Sequence, residues 1–161
     1  MHLVPTKPEH LETLKTWFPD EESAREWGGP AIRYPFTDAA FLEDIRWQEM
    51  PACSLLGEEN ELTAFGQYYE KAARCHLARL VVAPSQRSRG LGYRFILELM
   101  KVGMSDLGVN ECSLFVINSN TKAIRCYTSL NFEPAPYPPG EQHFGHINFM
   151  VRKRVRKGTH T

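Results

Sequence analysis

Residues 80 to 95 read Leu-Val-Val-Ala-Pro-Ser-Gln-Arg-Ser-Arg-Gly-Leu-Gly-Tyr-Arg-Phe, an apolar run feeding a turn rich in glycine and arginine that opens a helix. That order of residue types suits an anion. Glycine lets backbone approach a ligand closely, the first N–H groups of a helix point outward without partners, and the macrodipole and the arginines both favour phosphate. A pyrophosphate-bearing ligand would fit such a turn. A dinucleotide fingerprint needs a third Gly or Ala where this chain has Phe95, and the strands around it pattern as hairpins. A P-loop needs Gly-Lys-Ser/Thr where this chain has Gly92-Tyr93-Arg94.

Arg87-x-x-Gly90-x-Gly92, preceded by Val82-x-Pro84, resembles the acetyl-CoA-binding signature of the GNAT N-acetyltransferase superfamily. A second segment agrees: Leu114-x-Val116-x-x-x-Asn120-x-x-Ala123-x-x-x-Tyr127-x-x-x-Asn131-Phe132 is similar to the later family segment, which normally ends in Gly-Phe. Asn131 departs from that pattern mildly, because Asn tolerates left-handed backbone better than most residues. Trp27-Gly28-Gly29-Pro30 with Tyr34-Pro35-Phe36-Thr37 also resembles the acceptor-side segment of some bacterial members. The two main motifs lie in order over about residues 75–133.

The resemblance implies acetyl-CoA as cosubstrate, meeting an amine in a cleft where two central strands splay. Acetyl transfer then needs a deprotonated amine, donors for the developing oxyanion, and a proton for the departing thiolate. Tyr127 matches the family tyrosine that protonates the coenzyme A sulfur, since a phenol of pKa near 10 can donate to a thiol of about 8.5; the bland alternative is a core aromatic. His76 stands where several members carry a glutamate base, and imidazole suits that work near neutrality. Against this, His76 alternates with Ala78, Leu80 and Val82 on what reads as a buried face, so an inert histidine, Glu70 or a water chain stays in contention. For the cofactor, the backbone of Val82 and of Arg87, Ser88, Arg89, Gly90, Leu91 and Gly92 is the expected cradle. Asn120 matches a pantetheine-contacting asparagine and equally serves as a helix N-cap. Arg89 is expected at phosphate, and Arg125 either there or in solvent.

These residues need elements to hold them. The pattern predicts a strand over 2–4, helices over 8–17, 21–27 and 38–50 (the last capped by Asp38), and successive strands over 53–56, 62–70 and 75–82. A helix over 90–107 follows, with Leu91, Phe95, Leu99 and Val102 on one stripe and Gly108 at its end. Next come a strand over 112–117, a helix after Asn118-Ser119-Asn120, a strand starting at 131–133, and a last strand over 144–151. This is an α+β class, GNAT-like, with a mixed, mostly antiparallel central sheet flanked by helices. One domain over 1–151 with a basic tail over 152–161 is the expected organisation.

At 161 residues, 42% hydrophobic and 24% charged, the chain can bury a core without metal or disulfide support. No apolar run approaches the roughly 20 residues of a membrane span, and the start lacks a signal-peptide core, so a cytoplasmic location is expected. Four cysteines without close pairs read as buried small hydrophobes. His143 and His146 could share a helical turn, but nothing completes a metal set, and none is expected. Zero net charge conceals 14 acids against 6 bases over residues 1–73 and 5 against 8 over 74–151. An acidic half that walls the amine side would favour a cationic small-molecule or peptide acceptor, and the basic half would favour coenzyme A. Five basic residues over 152–157 carry no reading motif for nucleic acid. The expectation is an N-acetyltransferase, monomer or homodimer. The alternatives are a catalytically silent acyl-CoA-binding or sensory module and an acyltransferase for longer chains.

Overall fold

The computed structural model describes residues 1–154. The chain runs β1 (His2–Pro5), α1 (Pro8–Lys15), α2 (Glu21–Gly28), α3 (Asp38–Asp44), β2 (Ala52–Leu56), β3 (Leu62–Lys71) and β4 (Arg74–Val82). A short 3-10 turn at Pro84–Gln86 leads to α4 (Leu91–Leu107), β5 (Cys112–Ile117), α5 (Thr121–Ser129), β6 (Glu133–Pro134) and β7 (Ile147–Arg152). The strands form one seven-stranded sheet in the order β1-β2-β3-β4-β5-β7-β6. Every neighbouring pair is antiparallel except β4 and β5, which α4 joins as a parallel crossover. The expected mixed, mostly antiparallel sheet flanked by helices is what forms.

Two apolar layers follow from the period-2 alternation of the strands. On one face Leu77, Leu114 and Met150 pack against Phe95, Leu99 and Met100 of α4 and Tyr127 of α5. On the other, Leu55's neighbours Leu56, Leu62 and Phe65 pack against Leu11 and Leu14 of α1, Ala24 of α2 and Phe41 of α3. Cys53, Cys75 and Cys112 are buried, and Cys126 is partly so.

Three local expectations are corrected. The stripe of α4 bends to Leu91, Phe95, Ile96, Leu99, Met100 and Gly103, and Val102 stands 42% exposed. The third helix stops at Asp44, with Thr37 at its N-cap and Asp38 held instead by Lys15. It ends there because Arg46 takes a left-handed backbone (φ 54°), and because side chains of the sheet capture the last carbonyls: Arg79 donates to Asp44 O and Gln67 to Ile45 O. The last strand begins at Ile147, since Ile147 N–H turns back onto Phe144 O, and His143 and His146 lie in the exposed irregular segment before it. Of the basic tail, Arg152 ends β7 and residues 155–161 lie outside the described residues.

Gly103 sets how closely α4 lies on the sheet, for a Cβ there would fall 2.5 Å from Cys75 Sγ and 3.2 Å from the Tyr68 ring. Gly103→Ala should destabilise the protein by about 1–3 kcal/mol in urea unfolding through overpacking. A gain of about 1 kcal/mol, the helix-propensity value of that exchange, would show that α4 is not so constrained.

Candidate functional site

The antiparallel partner of β4 follows it to the end, but the parallel one does not. β4 and β5 are in register only at Cys75 with Cys112, His76 with Ser113 and Leu77 with Leu114. Beyond Leu77 the β5-facing edge of β4 has no ladder partner, so residues 78–82 and 115–117 open as a wedge. A bulge deepens the parting: the β3 register slips between Phe65 and Gln67, and Arg79, opposite it, takes φ 51°. Trp27 Nε1 donates to Arg79 O at 2.8 Å and pins that bulge to α2.

The wedge leads directly to the glycine turn. Ala83 N–H is tied to Thr63 O, after which Arg87, Ser88, Arg89 and Gly90 are exposed. Ser88 (φ 65°) and Gly90 (φ 75°) curl the backbone left-handed just before α4. Gly90 occupies the N-cap and offers no side-chain acceptor, so the first-turn N–H groups of Leu91, Gly92 and Tyr93 lack a side-chain cap. A Cβ at Gly90 would meet nothing, so the glycine is required by its backbone angle and not by space. Gly92 needs neither, since its Cβ would make ordinary contacts of 3.8 Å with Val82 and 3.9 Å with Cys126. Its lack of a side chain widens the gap between the end of β4 and α5, a cradle that a backbone-hugging pyrophosphate would occupy.

The facing wall is the start of α5. Asn120 caps it, its Oδ1 accepting from Ala123 N–H at 3.2 Å, which leaves the exposed amide nitrogen for another partner. Lys122 Nζ donates to Ser88 Oγ at 2.6 Å and links the two walls. Nothing in the sequence singles out Lys122, since a cation in the first turn of a helix only opposes the macrodipole. Arg87 Nε reaches Val82 O at 3.4 Å, whereas Arg89 and Arg125 stand in solvent. Tyr127, two turns along α5, is 9% exposed and packs edge-on against Phe132. Burial pushes its phenol well above the usual range, which keeps the proton on oxygen at neutral pH.

His76 lies before the wedge, 3% exposed, with Nδ1 2.8 Å from Ser113 Oγ and its ring against Tyr69, Phe115 and Phe149. Burial first, then the Lys71 charge, lower its pKa to about 3. An imidazole so held stays neutral and takes no proton near pH 7. Glu70 ends β3 opposite Cys75, exposed and away from the wedge. Many acids of the first half are engaged: Glu12 and Asp38 on Lys15, Glu21 on Arg25, Glu43 and Asp44 on Arg33, and Glu49 on Arg46. A cavity of about 430 Å³ lies elsewhere, between β1, the 47–53 turn and Val102, and no residue of the glycine turn lines it. Among the described residues no cluster of His, Cys, Asp or Glu is gathered for a metal, and no helix is long and apolar enough to cross a membrane.

The splayed pair, the glycine turn and the capped α5 lie together at one end of the sheet. The chain belongs to the acetyltransferase (GNAT) family, whose model matches residues 12–132. It is therefore, at the level of the family, an acyl-CoA-dependent N-acetyltransferase with acetyl-CoA as cosubstrate. A spermidine N-acetyltransferase from Vibrio cholerae, solved with CoA and spermine, superposes with TM-score 0.71 at 14% identity over 93% of each chain. A protein provisionally assigned as a phosphinothricin N-acetyltransferase gives 0.69 at 14% identity over 96% of this chain and 99% of its own. A provisionally assigned acyl-CoA N-acyltransferase from Klebsiella pneumoniae gives 0.67 at 13% identity over 94% and 95%. Identities this low speak to the fold alone.

Because the folded pKa of His76 lies below its unfolded value near 6.5, its neutral burial supports the fold fully above pH 6.5 and less as pH falls toward 3. Between pH 7 and pH 4, His76→Gln should lose about 3 kcal/mol less stability than the wild type in urea unfolding. Parallel pH profiles would place the imidazole in a solvated setting and return it as a base.

Proposed function

We propose that the chain transfers the acetyl group of acetyl-CoA to a primary amine by direct attack in a ternary complex. What carries this reading is the continuity of the wedge with the turn: the unpaired β4 edge over 78–82 runs into an uncapped helix start, faced by α5, the helix that bears Tyr127. Acetyl-CoA supplies the activated acyl group. The N–H groups of Leu91, Gly92 and Tyr93, with Arg87, Arg89 and Lys122 around them, hold its phosphates. Val82 and the exposed amide of Asn120 hold the arm between the strands. The free N–H groups of β4 receive charge developing on the carbonyl oxygen, since they are fixed and need no reorganisation. Tyr127 gives its proton to the departing sulfur. The amine sheds its proton to water, as burial leaves His76 too weak a base to take it and Glu70 lies opposite Cys75, where β4 and β5 still pair.

A silent acyl-CoA-binding module would use the same turn without needing the Tyr127 proton, and a longer-chain acyltransferase would use the same chemistry. The acceptor is a small-molecule or peptide amine. The case for a cationic acceptor rests on the acids of residues 1–73, so it is strongest for a surface-steered encounter and weakest beside the wedge, where those acids are paired. Thiol release from acetyl-CoA against a panel of amines tests the reading. Tyr127→Phe should slow turnover about 10²–10⁴-fold with acetyl-CoA affinity nearly unchanged. Full turnover in that variant would make Tyr127 a packing residue and favour the silent module.

A further inference from the structure

Arg79 closes the end of α3, yet its charge has no counter-ion there. It sits in the bulge of β4, within the stretch that β5 has left, and its side chain runs over the face opposite α4. Its guanidinium donates to neutral groups only: Gln67 Oε1 at 3.0 Å, Asp44 O at 3.1 Å and the Met50 thioether at 3.6 Å. Nε is buried with no partner. Among the described residues no carboxylate lies within ion-pair distance of it, and the carboxylate of Asp44 is taken by Arg33 at 2.8 Å. A half-buried cation with a neutral first shell is costly, and a neutral donor such as glutamine would hydrogen-bond Gln67 or α3 without that cost. The backbone beneath it is left-handed, a conformation that proteins retain at a long side chain where its position matters.

On the same face, beyond Arg79, lies an aromatic cluster against which no helix among the described residues packs. Tyr69, Phe115, Tyr137 and Phe149 pack there around His76. Lys71 lies 5.8 Å over the Tyr69 ring and 5.5 Å over Phe115. Its charge is met by Glu141 at 2.7 Å, from the segment that spans this floor. Around the parted strands there are thus the glycine turn, an aromatic cluster, and on β4 a cation whose contacts are all neutral.

We propose that the acceptor is an amine bearing a carboxylate close to its amino group and an apolar or aromatic body, an amino-acid-class acceptor whose carboxylate pairs with Arg79. This rests on the acetyltransferase reading above and names the substrate class of that same site. The carboxylate supplies the charge partner that Arg79 lacks, and in a cleft closed by substrate such a charge-assisted pair is stronger than at the surface. With its carboxylate there, the neighbouring amine is placed at the unpaired β4 edge, where the acetyl carbon is presented. The alternative is that Arg79 serves only to tie the end of α3 to the sheet.

Matched acceptors separate the two. Thiol release is measured with phenylalanine against phenethylamine, leucine against isoamylamine, and spermidine as a cation without a carboxylate. The wild type should favour each carboxylate-bearing partner by about 10- to 100-fold in kcat/KM, the range of one charged hydrogen-bonded pair. Arg79→Met should bring that ratio toward one, mainly through KM of the carboxylate-bearing amine, and Arg79→Lys should restore part of it. A merely structural arginine changes both members of a pair alike and leaves the ratio standing. Equal or better use of phenethylamine, isoamylamine or spermidine by the wild type overturns the proposal and leaves the acetyltransferase reading intact, a comparison that needs no variant to fold. Transfer to no amine at all overturns both.

Discussion

The structure turns on one interrupted ladder. Parallel strands normally satisfy each other along their length, and an unpaired backbone edge inside a domain is costly. Here β4 and β5 keep only the pairs from Cys75–Cys112 to Leu77–Leu114 and then part, although both strands continue. The parting is held from both sides: the Arg79 bulge and the Trp27 hydrogen bond fix β4, and β7 fixes β5 by pairing with it from Cys112 to Ile117. Everything assigned to function hangs from this opening. The turn after β4 and the start of α5 stand at its mouth because each directly follows one of the two strands.

The distribution of titratable groups follows the same division. Where the strands still pair, burial drives the His76 pKa down to about 3, and in β2 it pushes the Cys53 thiol up to about 11. Neither is fit for proton transfer or nucleophilic attack at neutral pH. Where the strands have parted, donors remain uncommitted: the β4 edge, the first turn of α4 and the amide of Asn120. On the proposed reading the site is a set of unmet hydrogen-bonding groups in a wedge, and its chemistry is positioning and charge stabilisation.

Much of this was legible in the residues. The glycine turn, the order of the two motifs and the helix N-cap at Asn120 are local features, fixed by backbone angles and caps that a few residues determine. Asn131, the departure from Gly-Phe, adopts φ 70°, as its tolerance for left-handed backbone allows. What the sequence did not show is what tertiary contacts decide. The third helix ends at Asp44 because Arg79 and Gln67, more than 20 residues away, take its last carbonyls. Val102 has helical spacing but faces out, since Gly103 brings a neighbouring stripe onto the sheet. Charge counted along the chain could not anticipate that the acids near α3 would pair with Arg33 and Arg46 and leave Arg79 with neutral partners only.

The account stands or falls on acyl-CoA entering the parted strands. Amide hydrogen exchange with and without acetyl-CoA reads this directly, because the amides of the β4 edge and of the α4 start lack ladder partners or side-chain caps in the free protein and gain partners only when the cofactor lies in the wedge. Acetyl-CoA should slow exchange across residues 78–82 and 88–93 together. Unchanged exchange in both stretches, or protection confined to the groove between β1 and the 47–53 turn, would contradict it.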